Sequence, residues 1–291
     1  MELDRSRILL IIVASVPFAV GSVIGGVILD NPLFTEAILT SARSYSPAEL
    51  LVQALISTGL GASIVLALFY FIQRRGSRSR RFLVAMVVSP ILTVVFFVLG
   101  QALLLILFKG ASNNVLPSII SFGSLAVFIL SIVFIMMDAV PPLLKNGFVA
   151  FYGSIFGTFL GVSFVTSSML VLMFSLIIED YLLSRYSPAA EAARMVSQVG
   201  SDPFDYTRIQ SQNIAVGAGD FVAFSLIAAH SLLYFPIYVW ITSIALALLG
   251  IIINSTILLK EGELLPAIPL PTLLAMFPWF VHLIAYLPYL A

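Results

Sequence analysis

The chain has 291 residues, of which 60% are hydrophobic and only 10% are charged, a composition that the core of a soluble protein of this size does not require. Its 14 basic and 14 acidic residues balance, which excludes the basic surface of a nucleic-acid-binding protein and an acidic tail. It contains no cysteine, which excludes disulfides, thiolate nucleophiles and cysteine-ligated metal sites. We therefore expect the lipid bilayer to be its main solvent.

Nine apolar segments are long enough to be membrane spans. A transmembrane helix needs about 20 apolar residues, because the hydrocarbon core is about 30 Å thick and a helix rises about 1.5 Å per residue. In chain order, the segments are residues 8–29, 50–72, 82–108, 116–137, 148–161, 163–183, 214–234, 236–259 and 266–290. The fifth and sixth are divided at Gly161-Val162-Ser163, the one small and flexible break in that stretch. The sequence predicts an all-α membrane protein with nine transmembrane helices.

The basic residues predict how these helices are oriented, because short basic loops stay in the cytoplasm. Five arginines lie between positions 74 and 81, directly after the second span. Placing that loop inside makes the amino terminus cytoplasmic and the carboxyl terminus external. Twelve of the 14 basic residues then lie inside, and only Arg43 and Lys109 lie outside. We expect a multi-pass protein of the cell membrane, and a count of eight or ten spans would break this agreement.

The longer loops suggest three parts of the chain. Residues 1–186 are expected to form a six-helix amino-terminal bundle, and residues 213–291 a three-helix carboxyl-terminal bundle. Residues 187–212 form the cytoplasmic loop between them. Within that loop, residues 189–195 combine helical propensity with a partly apolar face, so we expect a helix at the membrane surface.

Acidic residues inside spans are the main functional candidates, because ionisable groups are costly in hydrocarbon. Asp138 stands where the fourth span meets the cytoplasm and is expected to be a boundary residue. Glu179 and Asp180 lie near the inner end of the sixth span. Asp220 lies about two turns into the predicted seventh span. His230 and His282 lie in separate apolar runs, where an imidazole is usually packed and hydrogen-bonded, so neither is assigned to a metal.

Asp180 and Asp220 can meet near the inner leaflet. Counting about 1.5 Å per residue from the helix ends puts both carboxyl groups roughly 5 to 10 Å below the inner surface, on adjacent antiparallel helices. Two carboxyl groups within about 3 to 5 Å of each other cannot both ionise easily. They therefore share one proton. The ionised acid can take a proton from water while the protonated acid polarises a peptide carbonyl. This pair predicts aspartyl protease chemistry.

Two further motifs accompany the acids. The glycines of Gly217-Ala218-Gly219-Asp220 would let another backbone approach closely and would loosen the helix before the acid. Ordinary small-residue helix packing explains them equally well. Three prolines within residues 266–271 prevent the ninth span from opening as a regular helix, which suggests a wall of the same site. The alternative is a helix entry marked by proline.

These elements, in this order, resemble the presenilin and signal peptide peptidase family of intramembrane aspartyl proteases, especially its short archaeal members. The resemblance spans most of the chain. The family carries Tyr-Asp in the sixth helix, Gly-x-Gly-Asp in the seventh and Pro-Ala-Leu at the ninth. Here these motifs correspond to Glu179-Asp180, Gly217-Ala218-Gly219-Asp220 and Pro266-Ala267-Ile268. The chain thus departs from the family pattern by a glutamate for tyrosine and an isoleucine for leucine, and its cytoplasmic amino terminus matches presenilin rather than signal peptide peptidase.

The resemblance implies a fold, a site and a way of acting. Spans one to six would curve around spans seven to nine. Asp180 and Asp220 would be the catalytic pair, and Glu179 would modulate it. The residues expected to receive substrate are Gly217, Ala218, Gly219, Pro266, Ala267 and Ile268. No cofactor or metal is expected, and the short loop between the catalytic helices favours a single chain without partner subunits. Type I membrane proteins are the preferred substrates.

Two alternatives remain open from the sequence. Prepilin-type leader peptidases share Gly-x-Gly-Asp, but they lack the proline element at a ninth span. An ion- or proton-coupled transporter would use Glu179, Asp180 and Asp220 as a relay, with the prolines marking broken helices. Transporter sites usually lie near the midplane between repeats, whereas these acids lie toward one face and no repeat is visible. Intramembrane proteolysis is therefore the leading hypothesis.

Overall fold

The computed structural model describes residues 5–33, 35–36, 45–74, 77–108, 115–186, 203–211, 214–259 and 266–286. Nine long α-helices dominate this described part, and a small hairpin precedes the seventh. The helices are α1 (Arg5–Asp30), α2 (Pro47–Arg74), α3 (Ser77–Phe108), α4 (Val115–Met137), α5 (Pro142–Ser163), α6 (Thr166–Tyr186), α7 (Ala218–Tyr234), α8 (Ile237–Ile253) and α9 (Pro269–Tyr286). A 3₁₀ turn (Pro203–Tyr206) and strands β1 (Arg208–Ser211) and β2 (Ile214–Gly217) lie between α6 and α7, and a π-helical turn (Asn254–Leu258) extends α8.

Within the described ranges, five helical segments are long and apolar enough to cross a membrane: Arg7–Asp30, Arg81–Phe108, Val115–Met137, Pro142–Ser163 and Ile237–Leu258. Large apolar side chains are exposed on their surfaces, such as Phe122 (74% exposed) and Leu143 (82%). Helices with such surfaces are stable in lipid because their backbone hydrogen bonds are satisfied internally. The chain is therefore a multi-pass membrane protein. α7 and α9 are apolar but shorter, and the full count of nine crossings stays a prediction.

The boundary between the fifth and sixth spans was predicted wrongly. It was expected at Gly161-Val162-Ser163, but α5 continues to Ser163 and the chain turns at Phe164 and Val165. Gly161 serves packing, since a Cβ at this position would lie 2.7 Å from the carbonyl oxygen of Leu226 in α7. The glycine that appeared to break the helix instead allows α7 to approach it.

α7 lies between α1 and α5 and makes extensive contacts with both. On α5, glycines recur every four residues along the contact, at positions 153, 157 and 161. A Cβ on Gly153 would lie 2.8 Å from that of Phe221, and one on Gly157 would collide with the carbonyl oxygen of Val222 and Oγ of Ser225. Small residues at this spacing let two transmembrane helices approach at backbone distance. The helix that carries Asp220 is thus closely held on two sides.

α6 is attached mainly to α2, and through polar side chains. The hydroxyl of Ser175 lies 2.8 Å from that of Ser57 and accepts a hydrogen bond from Thr58 at 2.9 Å. Two turns earlier on α6, Ser168 donates to the side-chain oxygen of Gln53 at 2.7 Å. Such interhelical hydrogen bonds hold helices together in lipid, where apolar contacts gain little from leaving water. α6 also contacts α7 and α9, but less extensively.

The start of the seventh helix differs from the prediction. Residues 214–217 were assigned to a span, but they form β2, which pairs with β1 in antiparallel register from Arg208↔Gly217 to Ser211↔Ile214. A short apolar run fits a strand and a helix equally well, and only its partner strand decides between them. Asp220 is therefore the third residue of α7 rather than two turns inside it. The surface helix predicted at residues 189–195 lies outside the described residues.

Candidate active site

Asp180 lies on α6, six residues before the helix ends at Tyr186. Its carboxyl group is half-buried. Oδ2 accepts a hydrogen bond from the backbone N–H of Ile268 at 2.9 Å, and the backbone of Ala267 bonds to the same carboxyl group. The first predicted acid is therefore joined directly to the proline-marked segment before α9, as the sequence suggested.

Asp220 lies in the first turn of α7 and is also half-buried. Its Oδ2 accepts a hydrogen bond from the backbone N–H of Gly217 at 3.0 Å. An acid at the third position of a helix often makes this capping contact and interacts favourably with the helix dipole. Asp220 has a second interaction that capping does not explain. It lies close enough to Asp180 on α6 for the charges of the two carboxyl groups to interact.

The three motifs therefore meet at one place. α6 contacts both α7 and α9. Asp180 is bonded to the backbone of residues 267 and 268 and lies near enough to Asp220 for the two charges to interact. Two carboxyl groups whose charges influence each other, both shielded partly from solvent, ionise one after the other and can serve as an acid and a base.

Residues 266–268 are not helical, and α9 begins only at Pro269. The segment before the helix is irregular as predicted, but Pro269 and Pro271 lie in the first turn of α9, so the alternative of a helix entry marked by proline fits the structure as well. Asn254 holds this segment: its side-chain amide donates to the carbonyl oxygen of Ala267 at 3.2 Å and lies 3.5 Å from that of Pro266. Sequence reasoning missed Asn254, although a single amide directly after Ile251-Ile252-Ile253 was an available signal.

The glycines before Asp220 have open surroundings. Around the position of a Cβ on Gly219, no heavy atom of the described residues outside its own backbone neighbourhood lies within 4 Å, and the nearest atom to one on Gly217 is Oδ2 of Asp220 at 3.8 Å. The alternative of small-residue packing against another helix is therefore not observed in the described structure. The expected loosening of a helix was wrong, because the chain is extended through Gly217 and the helix starts after it.

Glu179 is half-buried next to Asp180 on α6. Consecutive residues of a helix point about 100° apart, so the two carboxyl groups face different directions. The backbone hydrogen bonds to residues 267 and 268 are made by Asp180. Glu179 is therefore beside the site rather than within the contacts that join its three motifs.

The remaining candidates serve the structure. Asp138 follows the last residue of α4 and binds Lys145 at 2.6 Å, so it lies at the end of that helix, and its place at the cytoplasmic boundary stays a prediction. His230 is fully buried and bonds to the carbonyl oxygen of Gly161 at 2.8 Å. His282 bonds to the hydroxyl of Tyr238 at 2.7 Å. Both histidines are packed and hydrogen-bonded as predicted, and among the described residues no group of three metal-ligating side chains comes together.

Comparison with known protein families, with curated proteins and with solved structures finds no match to this chain. The likeness to the presenilin and signal peptide peptidase family therefore rests on three short motifs and on their meeting in the fold. Membership of that family stays a prediction.

Proposed function

We propose that this chain is an intramembrane aspartyl protease that hydrolyses peptide bonds within or near the transmembrane helices of other membrane proteins. The observation that carries the proposal is the convergence at Asp180. This residue lies within Coulomb range of Asp220 and accepts a hydrogen bond from Ile268. Three motifs separated by up to 88 positions thus supply the two acids and the backbone donors that hold one of them.

The reaction divides between the two acids. One ionised carboxylate removes a proton from water, which attacks the scissile carbonyl carbon, while the protonated partner donates a hydrogen bond to the carbonyl oxygen. The roles reverse when the tetrahedral intermediate collapses and the leaving amine takes a proton. The backbone donors of Ala267 and Ile268 hold the Asp180 carboxyl group in place. The open space at Gly219 leaves room for a substrate backbone beside Asp220.

The proposed orientation places this site at the cytoplasmic side. The nine-span arrangement assigns certain helix ends to the same side, and some of these ends contact one another. Arg7 donates to the carbonyl oxygen of Thr256 at 3.1 Å, and Arg81 lies 3.6 Å from Asp138. Each contact therefore joins a basic residue to a helix end that the charge rule assigns to the same side, which supports a cytoplasmic face there. With the amino terminus inside, type I membrane proteins are the proposed substrates, and a single chain is proposed to act without partner subunits or a cofactor.

The test is cleavage of a transmembrane reporter peptide by the purified chain in detergent. Asp180→Asn and Asp220→Asn should each abolish cleavage while remaining folded, because each removes one half of the acid and base pair. Asp30→Asn, at the exposed end of α1, is the matched control and should cleave normally. Full activity of either active-site variant would exclude the pair.

The same variants distinguish the alternatives. In liposomes, a transporter would move protons without cleaving the reporter, and the flux would disappear with Asp180→Asn and Asp220→Asn. A leader peptidase would cut a soluble peptide that carries a leader sequence and leave the transmembrane reporter intact. Either result would replace intramembrane proteolysis as the function.

A further inference from the structure

A cluster of five side chains lies outside the acid pair, where the ends of α3, α4 and α5 meet the segment before the hairpin. Its members are Arg81, Asp138, Lys145, Tyr152 and Tyr206. Lys145 is only 1% exposed, and its ammonium group lies 2.6 Å from Oδ1 of Asp138. Nη2 of Arg81 lies 3.6 Å from Oδ2 of the same carboxylate. A buried ammonium group needs such a partner, since an uncompensated charge away from water is costly.

Tyr206 docks on this ion pair although it belongs to the segment between α6 and α7. Its ring lies under the ammonium group of Lys145, 4.7 Å from nitrogen to ring centroid, a cation–π distance. Its hydroxyl lies 3.4 Å from Oδ1 of Asp138, and its backbone carbonyl accepts a hydrogen bond from Tyr152 at 2.7 Å. Burial and the charge of Asp138 raise the pKa of Tyr206 to about 12, so the phenol keeps its proton at neutral pH.

The contacts continue without a gap from Tyr206 to Asp220. The next residue, Thr207, accepts a hydrogen bond through its carbonyl oxygen from the N–H of Ala218, the first residue of α7, at 2.8 Å. Gly217 pairs with Arg208 across the hairpin and also donates to the carboxylate of Asp220 at 3.0 Å. The start of α7 is therefore tied to the residue that follows Tyr206.

The hairpin requires such an external hold. Each of its strands has only four residues, and an isolated two-stranded hairpin is marginally stable at best. It leads into α7 directly, because Gly217 ends β2 and Ala218 begins the helix. Movement of the hairpin would therefore be transmitted to the first turn of α7, where Asp220 lies.

We propose that Tyr206 is a positioning residue for the acid pair: by docking on Asp138 and Lys145, it fixes the hairpin and thereby the place of Asp220 relative to Asp180. The catalytic consequence rests on the proposed protease function. The docking of the hairpin does not depend on that function, so the docking proposal and the protease proposal can fail separately.

The docking is tested by a distance measurement in the full chain. Because the sequence contains no cysteine, spin labels at Ala215→Cys on β2 and Leu143→Cys on α5 are unique, and both positions are exposed. Tyr206→Ala and Tyr152→Phe should broaden or shift the distance distribution. Tyr152→Phe removes a single hydrogen bond and keeps the ring, so it remains informative if Tyr206→Ala does not fold.

The matched control is Tyr234→Phe. Tyr234 donates to the carbonyl oxygen of Val162 at 3.0 Å, so this variant loses the same kind of bond at the opposite end of α7. It should leave the hairpin distance unchanged. If folded Tyr206→Ala and Tyr152→Phe both keep the parent distribution, or if the control broadens it equally, the proposal is overturned whatever the activity.

Cleavage kinetics test the effect on catalysis. Tyr206→Ala should lower kcat on the order of 10²-fold while KM stays nearly constant, since displacement of a catalytic group by about 1 Å has an effect of this size. Tyr206→Phe keeps the ring under Lys145 and should restore most of kcat. A parent kcat in Tyr206→Ala despite a displaced hairpin would refute positioning. If the parent chain cleaves nothing, the protease proposal fails, while the distance measurement still decides the docking.

Discussion

The backbone N–H of Ile268 donates a 2.9 Å hydrogen bond to Oδ2 of Asp180 across 88 positions of the chain. The prolines explain why this donor is available. Pro266, Pro269 and Pro271 have no N–H, and the helix that follows begins only at Pro269. The N–H groups of Ala267 and Ile268 remain free of intrahelical partners, and both bond to Asp180. An irregular helix start thus supplies donors to a half-buried carboxyl group on another helix.

We expect the cleavage rate to have a bell-shaped dependence on pH. At low pH both acids are protonated and no carboxylate can accept a proton from water. At high pH both are ionised and none can polarise the carbonyl. Activity should rise and then fall as the pH increases. Initial rates measured from about pH 4 to about pH 9 test this, with unfolding followed in parallel, and a flat profile would contradict the shared proton.

Asn254→Ala should impair the site without touching either acid. The substitution leaves the carbonyl oxygen of Ala267 without its amide donor, which should lower the free energy of unfolding by about 1 to 3 kcal/mol. Cleavage should slow about tenfold or more, because the segment that holds Asp180 is no longer fixed. Ser255→Ala is the control, since among the described residues the Ser255 hydroxyl donates to the carbonyl oxygen of Ile252, one turn before it on the same helix. Equal effects of both variants on rate and thermal unfolding would refute the role of Asn254.

Gly157→Ala should destabilise the fold through the contact of α5 with α7. The added methyl group would collide with the carbonyl oxygen of Val222 and Oγ of Ser225 and would lie 2.7 Å from Cα of Val222. Overpacking of this kind costs about 1 to 3 kcal/mol. Gly147→Ala, on the same helix but facing open space, should instead stabilise it by about 0.5 to 1 kcal/mol. Thermal unfolding in detergent measures both, and similar midpoints would show that the close packing is unimportant.

Glu179→Gln should leave the chain active. Glu179 and Asp180 leave the helix about 100° apart. We therefore expect loss of the Glu179 charge to change the rate by less than about tenfold, which corresponds to a charge interaction of about 1 kcal/mol. Glu179→Tyr, which restores the residue of the family that the chain resembles, should also be active. Cleavage of the same reporter measures both. Complete inactivity of a folded Glu179→Gln would mean that this residue takes part in the chemistry.

The sequence was sufficient for the helices, because long apolar runs have few alternatives in lipid. All nine described helices overlap the nine predicted segments, and the contact between residues 266–268 and Asp180 followed from the prolines and the topology. The misplaced features depend on partners that a local pattern does not contain. Residues 214–217 are a strand because β1 pairs with them, and Gly161 continues a helix because α7 packs against it. Asn254 matters through a carbonyl oxygen 13 residues later.

The two helices of the site are held by different kinds of contact. Glycines bring α7 into backbone contact with α5, and Gly21 does the same from α1, whereas α6 joins α2 through exchangeable hydroxyl and amide hydrogen bonds. Interlocked backbones resist sliding, but hydrogen bonds between side chains can break and reform singly. If a bulky helix is to enter the site, α6 and α2 are the elements that have to give way. Asp220 would then be the stationary half of the pair, and Asp180 the half that moves aside and returns.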